Sequence, residues 1–338
     1  MNRKILVLGY FGYITNQLDG QTIKTRNLFL LLKKKGENVD YFDTQDFKKS
    51  KFTFFILLYK LFLCDKVYYL PAYNNLKFIF PLLFILSKLL RFDILYFVVG
   101  GWLPDFIKGK KVHIYFLRKI KFILSETKKL KQELKDRYNI KNVVIFPNFK
   151  FYNELNNSNN SSNIRIVFLS RINKKKGLDF LFNLSGRFSY NDNVELMCFG
   201  PVNEEDRAYF ESELVKYPNL KYGGLVSFEN VIKLLSTFDM FIFPTKYYTE
   251  GLPGVIVEAY FAGIPVIATN WKYASEFIID GKSGFICEWE DFEDFYRKVN
   301  ILVENPNRLK EMKEFAKAYG KNYSEVGAWE ILKSIENI

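Results

Sequence analysis

The chain is poor in the residues that support histidine-based catalysis or zinc binding. Among its 338 residues there is one histidine, His113, and three cysteines, Cys64, Cys198 and Cys287. We therefore do not expect catalysis by a histidine network, and His113 is predicted to be structural. The cysteines lie far apart in sequence, which argues against disulfides and zinc sites and favours a reducing compartment.

Two sequence patterns for cofactors are also missing. The turn after the first apolar run, Gly9–Gly12, lacks the Gly-x-Gly-x-x-Gly fingerprint of dinucleotide-binding proteins, which counts against NAD and FAD. No Asp-x-Asp metal motif stands at the end of a predicted strand. We therefore expect a reaction that uses neither a cofactor nor a metal ion.

Long hydrophobic runs are absent as well. The apolar start at Met1–Gly9 is too short for a secretory signal. The uninterrupted apolar part of Phe78–Leu90 is about half of the roughly 20 residues that cross a bilayer. We therefore predict a cytoplasmic protein without a spanning helix. The composition, 49% apolar and 25% charged, is that of a soluble globular protein, and the length predicts about two domains.

Positive charge is concentrated in the first half of the chain. Residues 1–150 contain 28 Lys and Arg against 11 Asp and Glu, and residues 151–338 contain 21 against 26. The segments Phe47–Leu63 and Leu76–Phe92 are rich in Phe, Leu, Lys and Arg. Basic aromatic helices of this kind lie in the headgroup region of anionic membranes. We predict that this half contacts the inner face of the plasma membrane. Ordinary helices packed on a sheet are the alternative, and no nucleic-acid motif is present.

Short apolar runs alternate with amphipathic stretches along the chain, which is typical of parallel, doubly wound α/β sheets. The polar stretch Asn153–Asn163 interrupts this pattern and is predicted to be a linker. We therefore predict one Rossmann-like domain over residues 1–150, a second over 151–322, and a final helix over 323–338. The predicted strands include Ile5–Gly9, Val39–Phe42, Lys66–Leu70, Ile94–Val99, Val143–Phe146, Ile164–Leu169, Val194–Phe199, Met240–Phe243 and Val266–Ala268.

Two carboxylates follow one of the predicted strands of the second half. Glu250 and Glu258 are eight residues apart, and Pro253 between them suits the first turn of a helix, where a missing N–H leaves no partner unsatisfied. A helix that starts there would leave the amides of Gly251 and Leu252 free near a positive dipole end, where anions bind. Glu258, about a turn and a half into that helix, would reach another part of the same ligand.

A basic loop follows the first strand of the second half. It spans Ser170–Gly177 and contains Arg171 and three consecutive lysines that end at Lys176. Ligands of open α/β sheets bind outside the carboxyl ends of the strands, so this loop is well placed to hold a diphosphate. A solvated basic turn is the alternative.

These elements together resemble the retaining glycosyltransferases of family 4, whose GT-B fold has two Rossmann-like domains facing a central cleft. The Glu-x7-Glu element from Glu250 to Glu258, the following segment Ala262–Thr269, and the Arg-x4-Lys-Gly element at Arg171 and Lys176 carry the resemblance. It implies that Glu250 contacts the donor sugar and Glu258 the ribose hydroxyls. It also implies that Arg171 and Lys176 stabilise the leaving diphosphate, and that the last helix crosses back to the first domain.

The resemblance implies further donor contacts and a biological setting. Backbone at Gly20 would approach the diphosphate, and the loops at Gly200 and Val226 would surround the base, with Val226 packed on it. The family's most frequent donor, a UDP-sugar, is expected here, and GDP- and ADP-sugars are the alternatives. The expected acceptor is a growing, lipid-linked saccharide in capsule, O-antigen or exopolysaccharide assembly.

One family feature is missing. Many members carry a histidine at the end of a middle strand of the first domain, where this chain reads Tyr96–Asp105 without one. Gly101, Trp102 and Asp105 are the remaining candidates for acceptor contacts. Two alternatives stay open: a non-catalytic GT-B subunit that binds a partner transferase, and a nucleotide-sugar 2-epimerase, which would need a histidine and further acids that the sequence does not place.

Overall fold

The chain forms two compact units. The computed structural model describes residues 4–15, 19–48, 50, 52–151 and 163–336, so the predicted linker lies outside the described residues except for Asn163. The first unit comprises Met1–Phe151 and Glu325–Ile338, and the second comprises Tyr152–Ser324. Each unit contains its own parallel sheet, as the alternation of apolar runs predicts.

The first unit is built on a six-stranded parallel sheet with the order β2-β1-β3-β4-β5-β6. Both faces of β1 and β3 are buried, which is why their sequences show no alternation of apolar and polar residues. The strands are β1 (Ile5–Gly9), β2 (Val39–Asp43), β3 (Lys66–Leu70), β4 (Asp93–Phe97), β5 (Phe122–Ser125) and β6 (Val143–Ile145).

Helices connect these strands. The first of them begins with a capping box, in which the Asp19 carboxylate accepts from the Thr22 amide at 2.9 Å and the Thr22 hydroxyl accepts from the Asp19 amide at 3.0 Å. The helices are α1 (Gly20–Lys34), α2 (Thr53–Phe62), α3 (Tyr73–Leu90), α4 (Leu103–Ile107), α5 (Lys111–Lys119) and α6 (Lys128–Tyr138). Within the described residues, α3 is the one helix whose length and apolar character would fit a membrane span. It buries Leu76, Phe80, Leu83 and Phe84 within the unit.

The second unit has a six-stranded parallel sheet with the order β12-β11-β10-β7-β8-β9. Its strands are β7 (Ile164–Leu169), β8 (Val194–Phe199), β9 (Leu220–Tyr222), β10 (Met240–Phe243), β11 (Val266–Thr269) and β12 (Gly284–Cys287). Its helices are α7 (Leu178–Arg187), α8 (Glu204–Lys216), α9 (Val231–Leu235), α10 (Gly254–Phe261), α11 (Ala274–Phe277), α12 (Phe292–Glu304) and α13 (Pro306–Gly320). This strand order is that of a doubly wound Rossmann sheet.

The last helix, α14 (Glu325–Glu336), belongs to the first unit. Its buried residues Ala328, Leu332 and Ile335 join the apolar core of that unit. This helix therefore completes the core of the first unit.

Helix α10 of the second unit starts at Gly254. Pro253 is its N-cap with extended backbone at ψ 128°, so the predicted helical start at Pro253 is one residue too early.

Candidate functional site

The topology of the second unit marks one place where a ligand site is expected. β7 and β10 are neighbours in the sheet, but β7 leads to β8 on one side and β10 leads to β11 on the other. At such a switch point the following loops diverge and leave a crevice outside the carboxyl ends of the strands. The loops that leave β7 and β10 carry the predicted residues Arg171, Lys176 and Glu250.

A glycine allows these two loops to pack closely against each other. Gly177 has φ +83°, and a Cβ placed on it would lie 2.0 Å from the carbonyl oxygen of Pro244 in the loop after β10. No other residue fits this approach. The Lys246 amide adds a hydrogen bond of 2.9 Å to the carbonyl oxygen of Lys175. The two loops therefore form one joined structure at the switch point.

Lys176 and Glu250 form an ion pair between these two loops. The Lys176 Nζ donates to Glu250 Oε2, and the two side chains are 11% and 20% exposed. Backbone at Lys176 is itself fixed, because its amide donates to the Asn173 side chain at 3.1 Å. The ammonium also lies 5.4 Å from the ring centroid of Phe243. Two predicted site residues that are 74 positions apart in sequence are thus in direct contact.

The other predicted residues of this site lie in the same basic loop or near the start of α10. Arg171 is exposed, two residues beyond the end of β7. Glu258 is buried on α10, and Gly251 and Leu252 are buried in the segment that leads into this helix. Leu252 has interaction partners within the chain, so the free amide predicted at that position finds no support. Glu258 likewise has partners.

The loops after β8 and β9 extend the same edge of the sheet. Gly200, at φ +129°, lies so close to the loop after β7 that a Cβ would come within 1.9 Å of the Ser170 carbonyl oxygen. Its amide donates to the carbonyl oxygen of Gly224 at 2.9 Å. Val226 is half-buried two residues further on. The loops that carry Gly200 and Val226 are therefore linked to each other and to the basic loop.

The predicted residues of the first unit lie at the carboxyl edge of its own sheet. Gly20 is the exposed first residue of α1, and an added Cβ would meet nothing within 4 Å, so the structure does not require glycine there. Gly101 and Trp102 follow β4, and Asp105 is exposed in the first turn of α4. The Trp102 ring packs 5.4 Å from the ring of Tyr73.

Sequence reasoning missed a buried ion pair at this edge. Lys24 Nζ lies 2.5 Å from Glu126 Oε1 and donates to the carbonyl oxygen of Val98 at 2.8 Å. The two side chains are 2% and 4% exposed. Lys24 shares its face of α1 with the buried Leu28 and Leu31. A lysine in such an apolar stripe is the signal that could have revealed it.

The single histidine of the chain is in a packed environment. His113 Nε2 lies 3.2 Å from the carbonyl oxygen of Leu76, and its ring packs against Phe80 and Phe106. Burial lowers the pKa of His113, and hydrogen bonds to backbone at Leu76 and Lys77 offset part of that effect. Among the described residues there is no group of three or more His, Cys, Asp or Glu that could hold a metal ion.

Comparison with known families finds a match in the second unit. Residues 153–319 match the family described as Glycosyl transferases group 1. The chain is also 30% identical over 183 residues to the capsular polysaccharide biosynthesis glycosyltransferase CapM of Staphylococcus aureus, covering 52% of this chain and 47% of CapM. It is 25% identical over 206 residues to the poly(ribitol-phosphate) alpha-N-acetylglucosaminyltransferase of the same species, covering 59% of this chain and 40% of that protein. The chain thus spans about half or less of the length of these curated relatives.

Solved structures match the whole chain in fold. The crystal structure of Anabaena Alr3699/HepE in complex with UDP has a TM-score of 0.80 at 15% identity and covers 99% of this chain and 100% of that chain. The sucrose-phosphate synthase of Thermosynechococcus elongatus has a TM-score of 0.77 at 13% identity, covering 99% and 98%. The predicted α/β GT-B fold is confirmed. The matched family and both of these curated relatives are glycosyltransferases.

Proposed function

We propose that this protein is a retaining glycosyltransferase of family 4 that transfers a sugar from a UDP-sugar to a saccharide acceptor in cell-surface polysaccharide assembly. The observation that carries the proposal is the Lys176–Glu250 pair at the switch point of the second unit. It joins the two predicted motifs in one site, inside the segment that matches the group 1 glycosyl transferases.

The proposal assigns a role to each residue of the site. Lys176 and Arg171 offset the negative charge that grows on the diphosphate as the sugar leaves, which is a preorganised electrostatic effect. Glu250 accepts hydrogen bonds from hydroxyls of the donor sugar, and Glu258 binds the ribose. The amino end of α10 adds a positive dipole on the same side. The loops at Gly200 and Val226 hold the base.

The choice of a UDP-sugar is supported by a fold relative. The crystal structure of Alr3699/HepE, which matches nearly the whole chain, is a complex with UDP. A curated relative is an N-acetylglucosaminyltransferase that acts on poly(ribitol-phosphate), and another acts in capsule biosynthesis. A growing, lipid-linked surface saccharide is the acceptor that fits the basic first half of the chain, with Gly101, Trp102 and Asp105 as the acceptor contacts.

Nucleotide binding tests the proposal directly. A thermal-shift screen should find that UDP raises the melting temperature, and calorimetry should show that Lys176→Ala weakens UDP binding about ten- to a hundredfold, because a charged hydrogen bond of roughly 1.5–3 kcal/mol is lost. Lys310→Ala, an exposed lysine on α13, is the matched control and should bind as the wild type does. Binding of no nucleoside diphosphate or nucleotide sugar at all would refute the proposed donor class.

We further propose that transfer needs no metal ion. The positive groups at Arg171, Lys176 and the amino end of α10 supply the stabilisation that a cation supplies in other enzymes. Transfer of radiolabelled sugar to a membrane extract should persist in excess EDTA. Loss of activity in EDTA with recovery in magnesium or manganese would contradict this part of the proposal.

A further inference from the structure

We propose that Glu250 makes the site discriminate against the free nucleoside diphosphate, which is the product of transfer, in favour of the sugar-bearing donor. This inference rests on the proposed function and names a specificity role for a residue of the same site. The role follows from the ion pair that Glu250 forms with Lys176.

The geometry places the Glu250 carboxylate beside any anion that binds the Lys176 ammonium. The Lys176 ammonium donates to the Glu250 carboxylate, and both side chains are largely withdrawn from water. The loops that carry them are locked together by the Gly177–Pro244 approach and by the Lys246–Lys175 hydrogen bond. Charges in such a place are screened less than on an open surface. The carboxylate is therefore a fixed negative neighbour of the phosphate position.

Donor and product differ in charge at that position. The terminal phosphate of a free nucleoside diphosphate is a monoester with a second pKa of about 6, so it carries roughly −1.5 to −2 at pH 7. The same phosphate esterified to a sugar carries a single negative charge. The donor also brings sugar hydroxyls that can donate to Glu250, whereas the product offers no such donor. Both differences favour the donor over the product at the same lysine.

The consequence for the reaction is release of the product. After transfer, the nucleoside diphosphate gains negative charge beside Glu250 and loses the hydroxyl contacts to it. This repulsion weakens binding of the product, and the Lys176 ammonium offsets part of it as negative charge grows on the leaving group. Glu250 thus both contacts the sugar and opposes product inhibition.

Calorimetry with UDP, UDP-glucose and UDP-N-acetylglucosamine tests the inference. Glu250→Gln removes the charge and should bind UDP about five- to tenfold more tightly than the wild type, from the loss of a partly screened repulsion. It should bind the UDP-sugars equally or more weakly, since their carboxylate contact is lost. Glu311→Gln is the control: it removes the same charge from an exposed residue of α13, beside the loop before β12.

The outcomes separate this inference from the function on which it rests. If the wild type binds none of the three ligands, the proposed UDP-sugar function fails and the inference falls with it. If the wild type binds them but Glu250→Gln binds UDP no more tightly, or if Glu311→Gln gives the same tightening, the inference alone is wrong. Glu250→Asp keeps the charge and should retain the sign of the wild-type preference, and a melting curve of Glu250→Gln checks that this variant is folded.

Discussion

At the scale of single residues, two glycines bring together the loops at the carboxyl edge of the second unit's sheet. Gly177 and Gly200 both have positive φ, and both lie where a Cβ would overlap a carbonyl oxygen of a neighbouring loop. Glycine is required at these positions for two reasons: the backbone has a positive φ, and a side chain would prevent the contact between the loops. The loop after β7 is thereby held against the loops after β10 and β8, and the position of Lys176 depends on that contact.

Gly177→Ala should separate the two loops that carry Lys176 and Glu250. A non-glycine residue at this φ costs about 1–2 kcal/mol, and the overlap with Pro244 adds to that cost. We expect a clear loss of thermal stability together with at least tenfold weaker UDP binding. Gly36→Ala is the matched control, because Gly36 has φ +78° but an added Cβ meets nothing within 4 Å. If calorimetry and melting curves of the two variants coincide, contact between the loops is not what Gly177 provides.

At the scale of elements, one carboxylate ties β12 to α12. Asp294, in the first turn of α12, accepts from the Glu288 amide at 2.8 Å and from Lys298 Nζ at 2.8 Å, and it pairs with Arg297. Lys298 also donates to the carbonyl oxygen of Ile286 in β12 at 2.7 Å. Burial by itself would raise the pKa of Asp294, but these hydrogen bonds outweigh it and lower the pKa to about 2.

The sign of this shift predicts a pH dependence of stability. The carboxyl has a pKa near 3.9 in the unfolded chain and about 2 in the folded one. The ionised form therefore stabilises the fold above about pH 4, and this contribution is lost as the pH falls from about 4 toward 2. Asp294→Asn should lower the free energy of unfolding at pH 7 by roughly 1–3 kcal/mol.

Urea denaturation of the wild type and Asp294→Asn from pH 7 to pH 3 checks this element. The difference in the free energy of unfolding between the two proteins should stay constant down to about pH 4 and then become smaller. Asp291→Asn offers a comparison, because Asp291 is the N-cap of α12 and asparagine also caps well. If the difference in unfolding free energy is equally large at pH 3, the charge of Asp294 is not what stabilises the contact between β12 and α12.

At the scale of the whole molecule, helices α2 and α3 give the first unit an exposed apolar surface that is rich in aromatic side chains. On α2 and the residue before it, the exposed side chains are Phe52, Phe55, Tyr59 and Phe62, and on α3 they are Phe78, Leu82, Ile85 and Leu89. Most of these are more than half exposed, and they follow helical spacing. The Lys77 ammonium lies 4.9 Å from the ring centroid of the exposed Phe78, and Lys88 is another exposed basic residue of α3. Contiguous apolar surfaces rimmed by charge mark sites of interaction, and a basic rim suits an anionic bilayer.

We expect this surface to hold the protein to membranes that contain anionic lipid. Each Lys or Arg near such a surface contributes about 1 kcal/mol, and the attraction decays within about 8 Å at physiological salt. Co-sedimentation should be strong with liposomes containing phosphatidylglycerol, weak with phosphatidylcholine alone, and partly resistant to salt because of the aromatic side chains.

Variants of this surface separate its two contributions. Phe55→Ser combined with Phe62→Ser should remove the salt-resistant part, and Lys77→Glu combined with Lys88→Glu should remove the preference for anionic lipid. Tyr190→Ser, which changes a fully exposed aromatic residue of the second unit, should bind as the wild type does. Equal recovery of the wild type in the supernatant with both lipids at low salt would exclude membrane contact and would favour a soluble acceptor.

The amino-acid sequence alone was enough to predict the class of fold and to propose the residues of the candidate site. Strands such as β1 and β10 are buried on both faces, so their continuous apolar runs are visible locally. The residue types and spacing of Arg171, Lys176, Glu250 and Glu258 likewise lie within short stretches of chain. Local pattern sufficed for these features because each depends on neighbouring residues alone.

Which of these segments come into contact follows from the fold and not from local sequence. The contact between Lys176 and Glu250 depends on β7 lying beside β10, and the pairing of Lys24 with Glu126 spans 102 positions. Strand order is set by the direction in which each connecting helix crosses the sheet, which no local propensity encodes. The same holds for the exposed face of α2 and α3, because an apolar stretch does not reveal which of its sides the sheet will cover.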